Sequence, residues 1–191
     1  MDGFSYEDFS LFISALRFCS EKHRNQRRKD AVRTPYLNHP IEVAEILWNI
    51  GEVREMTVLV AALLHDVIED TETAPDEIAG RFGDEVLSLV LEVTDDKRLP
   101  NSKRKELQVL HAPGLSRGAK LIKIADKIGN ARDVTWSPPP TWSMERRTEY
   151  LEWAERVVKG LGTGNRALLD LFFKVLAEGK KELSTPGIDA K

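Results

Sequence analysis

Apolar residues recur three and four positions apart along most of this chain, which is the spacing of one buried face of an α-helix. No stretch shows the sustained apolar–polar alternation of a half-buried strand, so we predict an all-α fold. We expect one compact multi-helix domain over residues 1–183 and a C-terminal tail at 184–191. The apolar periodicity predicts helices at 9–19, 41–48, 56–71, 73–82, 86–93, 103–109, 121–131, 150–161 and 168–176.

Several helix starts can be predicted from capping residues. Ser5 and Asp8 have the spacing of a capping box at the start of the first helix. Proline is favoured at the first helical position, so Pro40 predicts that His39 is the cap of the second helix. Thr73 is predicted to cap the short helix that follows the stretch 56–71.

The stretch 56–71 begins as an uninterrupted apolar run and ends in the polar residues His65, Asp66, Glu69 and Asp70. If the stretch is one helix, these four side chains fall within an arc of roughly 140°. Burying an imidazole and three carboxylates is costly unless they are paired or bind a metal. The alternative is a helix end that reaches the surface, where water solvates the charges.

Composition excludes several classes of partner. The 191 residues are 41% hydrophobic and 31% charged, with a net charge of −3, as in ordinary globular domains. This balance predicts no nucleic-acid or membrane partner. No apolar run can cross a bilayer and no secretory signal is visible, so we expect a cytoplasmic protein. Cys19 is the only cysteine, which excludes an intramolecular disulfide and predicts a small core residue. Composition leaves the oligomeric state open.

Four residues on three predicted helices could form one metal site: His39, His65, Asp66 and Asp126. Two imidazoles and two carboxylates suit a divalent metal that keeps open positions for water, such as Mn²⁺, Fe²⁺ or Zn²⁺. Because no thiolate is available in the set, a closed structural zinc site is not expected.

Taken one at a time, these residues have ordinary alternatives. A single histidine at a helix start more often caps or packs, and a single aspartate more often forms a surface ion pair. On spacing alone, His23 and His111 also remain possible ligands.

Ordered motifs in this chain resemble the hydrolase domain of RelA/SpoT proteins, within the HD-domain phosphohydrolases. The likeness is closest to the stand-alone small alarmone hydrolases of the metazoan SpoT homologue group, and it spans roughly residues 5 to 180. An HD dipeptide alone is weak evidence, but the ordered set is highly specific. The motifs are HP at 39–40, HDVIEDT at 65–71, VTDDK at 93–97 and ADKIGN at 125–130.

This resemblance implies an HD-domain fold and an enzyme that usually uses Mn²⁺. Such an enzyme hydrolyses guanosine tetraphosphate or pentaphosphate (ppGpp or pppGpp) at the 3′ position, releasing GDP or GTP and pyrophosphate. The resemblance assigns the metal to His39, His65, Asp66 and Asp126, and it places Arg28 at the nucleotide. Asn25 stands where the family pattern has glycine, so the loop that contacts the base departs from that pattern.

Further site residues follow from their positions beside the predicted ligands. Glu69 and Asp70 lie one turn beyond the HD dipeptide, where they could position the attacking water and exchange protons. The division of labour between them stays open. Asn130 lies one turn after Asp126 and could hydrogen-bond the ribose or a phosphate; otherwise it is a polar core residue.

A substrate with several negative charges requires cations. The best candidates are Arg27, Arg28 and Lys29, since a guanidinium suits bidentate phosphate binding. Arg146 and Tyr150 lie one turn apart on a late helix and could close the other side of the pocket. A solvated helix face is the alternative for Arg146.

Three functions compete at this point. The first is a 3′-pyrophosphohydrolase of guanosine tetra- and pentaphosphate, with a small-molecule nucleotide as the partner. The second uses the same metal site as an NADPH 2′-phosphatase. The third is a nucleotide-binding regulatory module without turnover. The intact set of predicted ligands and carboxylates argues against this third function.

Overall fold

A computed structural model describes residues 5–162 and 164–184. Within these ranges the chain is helical, and the only extended pairing is an isolated antiparallel bridge between Arg27 and Pro35. The all-α prediction is therefore confirmed. Ser184 is the last residue of the final helix, and 185–191 of the predicted tail lie outside the described residues. The helices are α1 Tyr6–Lys22, α2 Asn38–Asn49, α3 Met56–Leu64, α4 Val67–Asp70, α5 Pro75–Phe82, α6 Asp84–Val93, α7 Asn101–His111, α8 Arg117–Trp136, α9 Met144–Leu161 and α10 Arg166–Ser184, with a 3-10 turn Ala112–Gly114 before α8.

Helices α3 and α8 form the centre of the core. Every residue of α3 from Val58 to Leu64 is buried, because the helix packs against α1, α2, α6 and α8. Helix α8 packs in turn against α2, α9 and α10. Apolar burial on this scale is the main stabilising term of such a domain. The polar residues that α3 and α8 carry are thereby held at fixed places in the core.

The stretch 56–71 is not one helix, and that prediction was wrong. Helix α3 ends at Leu64 and α4 begins at Val67, so His65 and Asp66 lie in a turn. The Nδ1 atom of His65 lies 2.7 Å from the carbonyl oxygen of Ala62, which the amide of Asp66 would use in a continuous helix. The His65 imidazole therefore takes the place of the Asp66 amide as the partner of the Ala62 carbonyl. Because a turn separates α3 from α4, the four polar side chains at 65–70 do not lie on one helical arc.

Two predicted caps were also wrong. Helix α2 begins at Asn38, so His39 is its second residue and not its cap. The first amides of a helix have no intrahelical acceptor, which is why Pro40 is tolerated one position further along. Helix α5 begins at Pro75, and no side chain, including that of Thr73, makes its cap bond within the described chain.

The first helix is capped as predicted and ends before the basic segment. The capping box is confirmed, because the Ser5 hydroxyl and the Asp8 carboxylate each accept a 3.0 Å bond from the other residue's amide. Helix α1 ends at Lys22, before the basic cluster. In that cluster the amide of Arg28 donates to the carbonyl of Thr34 at 2.8 Å. The basic residues therefore lie on an extended loop that returns to the start of α2.

Two predictions from composition can be compared with the fold. Cys19 is fully buried in the core, as expected, and its burial raises the pKa of its thiol to about 12. In the described part of the chain, no helix combines the length and apolar character needed to cross a bilayer.

Candidate metal centre and active site

Side chains from α2, the α3–α4 turn and α8 meet at one buried place. His39, His65 and Asp126 each offer a ligand atom, and these atoms all lie within 4.8 Å of one another. The side chain of His39 approaches Asp126 most closely, with 3.1 Å between Nε2 and Oδ1. Asp66 adjoins this group, since its Oδ2 lies 3.1 Å from Nε2 of His65. The structure thus brings the four predicted ligands together.

The hydrogen bond of His65 determines which ring nitrogen is free. A carbonyl oxygen can only accept, so the 2.7 Å contact with Ala62 requires a proton on Nδ1. In the neutral ring, Nε2 is then a lone pair. It is buried, and among the described residues it makes no hydrogen bond of regular geometry, although the carboxylates of Asp66 and Asp126 lie within 4 Å. A lone pair facing two carboxylates is a favourable arrangement only around a cation, so this donor set fits a divalent metal.

The protonation equilibria of the site are consistent with cation binding. Burial opposes a charge on His65, but the neighbouring carboxylates outweigh burial and raise its pKa to about 9. Burial also opposes the ionised form of Asp126, yet Lys127 and the two imidazoles hold its pKa well below the usual range. The same carboxylates that favour a positive charge on His65 would also stabilise a bound cation. Metal binding at such a site releases a proton.

A second layer of polar groups orients the ligand carboxylates. The hydroxyl of Tyr36 donates to Asp66. The Asp126 carboxylate accepts from the ammonium of Lys127 at 2.7 Å and from the amide of Asn130 at 2.5 Å. Such partners fix ligand orientation and tune the metal. Sequence reasoning gave Tyr36 no role; its place three residues before a predicted ligand was the available signal.

A cavity of about 800 Å³ opens over this group. Of the substrate-binding and metal-binding residues predicted from sequence, Arg27 and Arg28 are missing from its lining; both instead line a smaller cavity of about 270 Å³ that shares several residues with it. The predicted residues that line the main cavity are Lys29, His39, His65, Asp66, Glu69, Asp70, Asp126, Asn130, Arg146 and Tyr150.

The carboxylate of Glu69 is held on one side and more open on the other. Its Oε2 accepts a 3.0 Å bond from the backbone amide of Asp95, whereas Oε1 has only a long 3.5 Å contact with Arg104. Burial raises the pKa of Glu69 above its ordinary value. A carboxyl group with a raised pKa takes up and releases a proton more readily near neutral pH.

Asp70 is held at both oxygens. Oδ2 accepts from the Gln26 side chain at 2.7 Å, and Oδ1 accepts from the ammonium of Lys97. The oxygen of the Gln26 amide in turn lies 2.6 Å from Nδ1 of the buried His23. His23 therefore supports Asp70 and, like His111 at the end of α7, does not belong to the ligand group found among the described residues. The Gln26 link was missed because Asp70 lies 44 positions after Gln26 in the sequence.

Arg28 is already engaged inside the protein. Its Nε donates to the carboxylate of Asp133 at 2.9 Å, and its terminal nitrogen donates to the amide oxygen of Asn130 at 3.0 Å. These bonds link Arg28, through Asn130, to the Asp126 carboxylate. A direct contact between Arg28 and substrate remains a prediction.

Aromatic rings and cations line another part of the cavity. The guanidinium of Arg146 lies 4.4 Å from the centroid of the Trp142 ring, and Tyr150 packs between Trp142 and Trp153. The ammonium of Lys105 lies 5.6 Å and 5.0 Å from the ring centroids of Tyr150 and Trp153. Sequence reasoning missed Lys105, because one lysine in a highly charged helix carries no distinguishing signal.

Comparison with known proteins agrees with this geometry. A sequence model of the HD domain matches residues 15–152. The chain is 51% identical over 161 residues to the guanosine-3′,5′-bis(diphosphate) 3′-pyrophosphohydrolase MESH1 of Xenopus tropicalis, covering 84% of this chain and 90% of that protein. It is 54% identical over 156 residues to the human protein of the same name, covering 82% and 87%. A solved structure of a metazoan orthologue of SpoT that hydrolyses ppGpp matches with a TM-score of 0.87 and 42% identity, covering 93% of this chain and 98% of that one. The chain therefore belongs to the HD-domain family, in the MESH1 group of metazoan SpoT relatives.

Proposed function

We propose that this protein is a metal-dependent hydrolase that removes the 3′-diphosphate of ppGpp or pppGpp, leaving GDP or GTP and pyrophosphate. The observation that carries the proposal is the buried group of His39, His65 and Asp126, whose ligand atoms lie within 4.8 Å. Relatives that are about half identical in sequence carry the name of this activity. We further propose that the reaction takes place within the single domain at 1–183, in the cytoplasm, without a nucleic-acid or membrane partner.

His39, His65, Asp66 and Asp126 would hold the metal. Mixed nitrogen and oxygen donors without a thiolate suit Mn²⁺, Fe²⁺ or Zn²⁺, and the resemblance to the alarmone hydrolases favours Mn²⁺ among them. When bound, such an ion lowers the pKa of water and polarises a phosphoryl oxygen. Tyr36 contributes by donating to Asp66, which keeps that carboxylate turned toward His65.

Glu69 is the better candidate for moving protons. Its pKa is raised by burial, and its Oε1 has no close partner among the described residues. It can therefore take a proton from the attacking water or give one to the 3′-oxygen of the leaving nucleotide. Asp70, which Gln26 and Lys97 hold at both oxygens, is suited to orienting a reactant by accepting a hydrogen bond.

Binding of the nucleotide would depend on cations that line the cavity. Lys29 and Arg146 both lie on its lining and are exposed enough to reach a ligand. Asn130 reaches the cavity but is engaged by Arg28 and Asp126. We propose that Arg28 acts mainly by holding Asn130 in place, and that Lys29, Arg146 and Tyr150 contact the substrate.

One observation favours the NADPH 2′-phosphatase as a second candidate. The rings of Trp142, Tyr150 and Trp153 pack beside one another along the lining. Such a surface can stack the flat groups of a dinucleotide. A ribose 2′-phosphate would meet the same ligands and the same carboxylates.

Product analysis separates these functions. Metal-free protein, protein with Mn²⁺, and the His65→Ala variant are each incubated with ppGpp and with NADPH. We expect GDP and pyrophosphate from ppGpp, only with Mn²⁺ and only with intact His65. NADH and phosphate from NADPH, with ppGpp untouched, would replace the proposal by the second candidate. Binding of both nucleotides without any product would identify a regulatory module.

A further inference from the structure

Most cations on the cavity lining are already committed to internal partners. This set comprises Lys97 with Asp70, Arg104 with Glu69, Lys123 with the carbonyl of Val93, and Lys127 with Asp126. Three lining cations remain that have no acidic hydrogen-bond or ion-pair partner among the described residues: Lys29, Lys105 and Arg146. These are the charges that a ligand could neutralise.

Lys105 and Arg146 both contact one aromatic cluster, which consists of Trp142, Tyr150 and Trp153. Lys105 lies over Tyr150 and Trp153, and Arg146 lies over Trp142. Ring faces attract cations but do not neutralise their charge. The cluster therefore positions two positive charges at the cavity and leaves them available to an anion.

The environment of Lys105 is electropositive. The residue is partly buried, and burial together with the positive charges of Arg146, Arg156 and Lys127 lowers the pKa of its ammonium, against the attraction of Glu149. An ammonium in such surroundings is stabilised when an anion binds beside it.

The aromatic cluster also links Lys105 to the metal ligands. The ammonium of Lys127 lies 4.8 Å from the centroid of the Trp153 ring and 2.7 Å from the Asp126 carboxylate. Lys105 approaches the same ring to 5.0 Å. Lys105 thus lines the same cavity as the candidate ligands and is separated from Asp126 by the Trp153 ring and Lys127, so it can meet a different part of the same nucleotide.

We propose that Lys105, together with Arg146, forms a subsite for the phosphate group of the substrate that is not hydrolysed. For ppGpp this is the 5′-diphosphate, while the 3′-diphosphate lies at the metal. The inference deepens the proposed function and rests on it. Lys105 acts here as a binding residue that favours nucleotides phosphorylated at two positions over those phosphorylated at one.

The test compares two substrates and two variants. Lys105→Gln removes the charge and keeps a polar side chain that is one atom shorter, whereas Lys103→Gln is the matched control, because Lys103 pairs with Glu106 and does not line the cavity. With ppGpp, we expect KM to rise about tenfold in Lys105→Gln, as for loss of one charge-assisted contact, with kcat and Mn²⁺ affinity little changed. With guanosine 3′-diphosphate, which lacks the 5′-diphosphate, the rise should shrink to less than about twofold.

Several results would overturn the subsite. An equal loss with both nucleotides would show that Lys105 acts on a shared feature, and an unchanged KM would show no contact at all. If the wild-type protein turns over neither nucleotide, the proposed function fails, and equilibrium binding of ppGpp then tests the subsite separately. Weaker ppGpp binding by Lys105→Gln than by Lys103→Gln would still support it, and equal binding would reject it.

Discussion

The two parts of the cavity are built in different ways. At the metal centre, His39 and His65 expose 3% and 4% of their surface, and the carboxylates beside them accept hydrogen bonds from neighbouring side chains. At the aromatic cluster, Lys105 and Arg146 have no acidic hydrogen-bond or ion-pair partner within the described residues. The groups assigned to chemistry are therefore fixed before the substrate arrives, as preorganised catalysis requires. The groups assigned to recognition keep charge available for the ligand.

This difference predicts whether a substitution changes turnover and metal content or changes KM. Changes at the metal centre should lower turnover or remove the metal, while changes at the aromatic cluster should raise KM and leave the metal in place. The following experiments test that division, from the largest expected effect to the smallest.

His65→Ala should have the largest effect. Removing the imidazole takes away a proposed ligand and breaks the hydrogen bond to the Ala62 carbonyl, so the site should lose its metal. We expect activity to fall by at least about 10³-fold, beyond the 10–100-fold that outer partners of a metal site typically cost. Metal content per chain and kcat/KM measure this. His111→Ala is the control, and full metal occupancy in His65→Ala would remove His65 from the ligand set.

Glu69→Gln should lower turnover without removing the metal. Loss of a proton carrier typically costs about 10²-fold or more in rate, and the amide of glutamine can still accept from the Asp95 backbone. The measurement is kcat alongside Mn²⁺ content. Asp70→Asn should also keep its metal and lose rate. Wild-type rates in both variants would show that neither carboxylate takes part.

Gln26→Ala should produce a smaller loss. The substitution cuts the link between His23 and Asp70 and leaves the Lys97 contact, so we expect kcat to fall about tenfold with little change in KM. A merely structural role would lower the melting temperature without this selective effect on kcat. Glu21→Ala, an exposed position on α1, serves as the control. A rise in KM at constant kcat would show that Gln26 contacts the substrate.

The bond between Arg28 and Asp133 should give the smallest effect. A double-mutant cycle with Arg28→Gln and Asp133→Asn should yield a coupling of about 1 kcal/mol in the free energy of unfolding, as for a partly buried charged pair. If Arg28 acts by holding Asn130, both single variants should weaken ppGpp binding. Weak binding in Arg28→Gln alone would instead indicate direct contact with the nucleotide.

The sequence was sufficient for the all-α fold and for most of the helices, and it singled out the candidate metal ligands. Apolar spacing alone located α6 and α9, because each buries one face in the core. It also located α8, although that helix is buried on all sides from Leu121 to Gly129. The order of the HP, HD and ADK motifs predicted four candidate ligands, and the structure brings their side chains together. Helical periodicity and short motifs are local features, so they can be recognised in the sequence.

What the sequence did not reveal depends on contacts between distant residues. The break at His65 arises from a side-chain bond to Ala62 that no periodicity encodes. Arg28 donates to Asp133, which lies 105 positions later in the sequence. The sequence therefore could not show that the charge of Arg28 is already paired. Lys105 is distinguished from other lysines only by the rings of α9 against which it lies.

The most direct test is diffraction from crystals of Glu69→Gln grown with Mn²⁺ and ppGpp, measured at the manganese absorption edge. We predict one anomalous peak per chain, within bonding distance of His39, His65, Asp66 and Asp126, with the 3′-diphosphate at the metal and the 5′-diphosphate beside Lys105. A peak elsewhere would contradict the metal centre, and a nucleotide bound with its 5′-diphosphate at the metal would contradict the division between the two parts of the cavity.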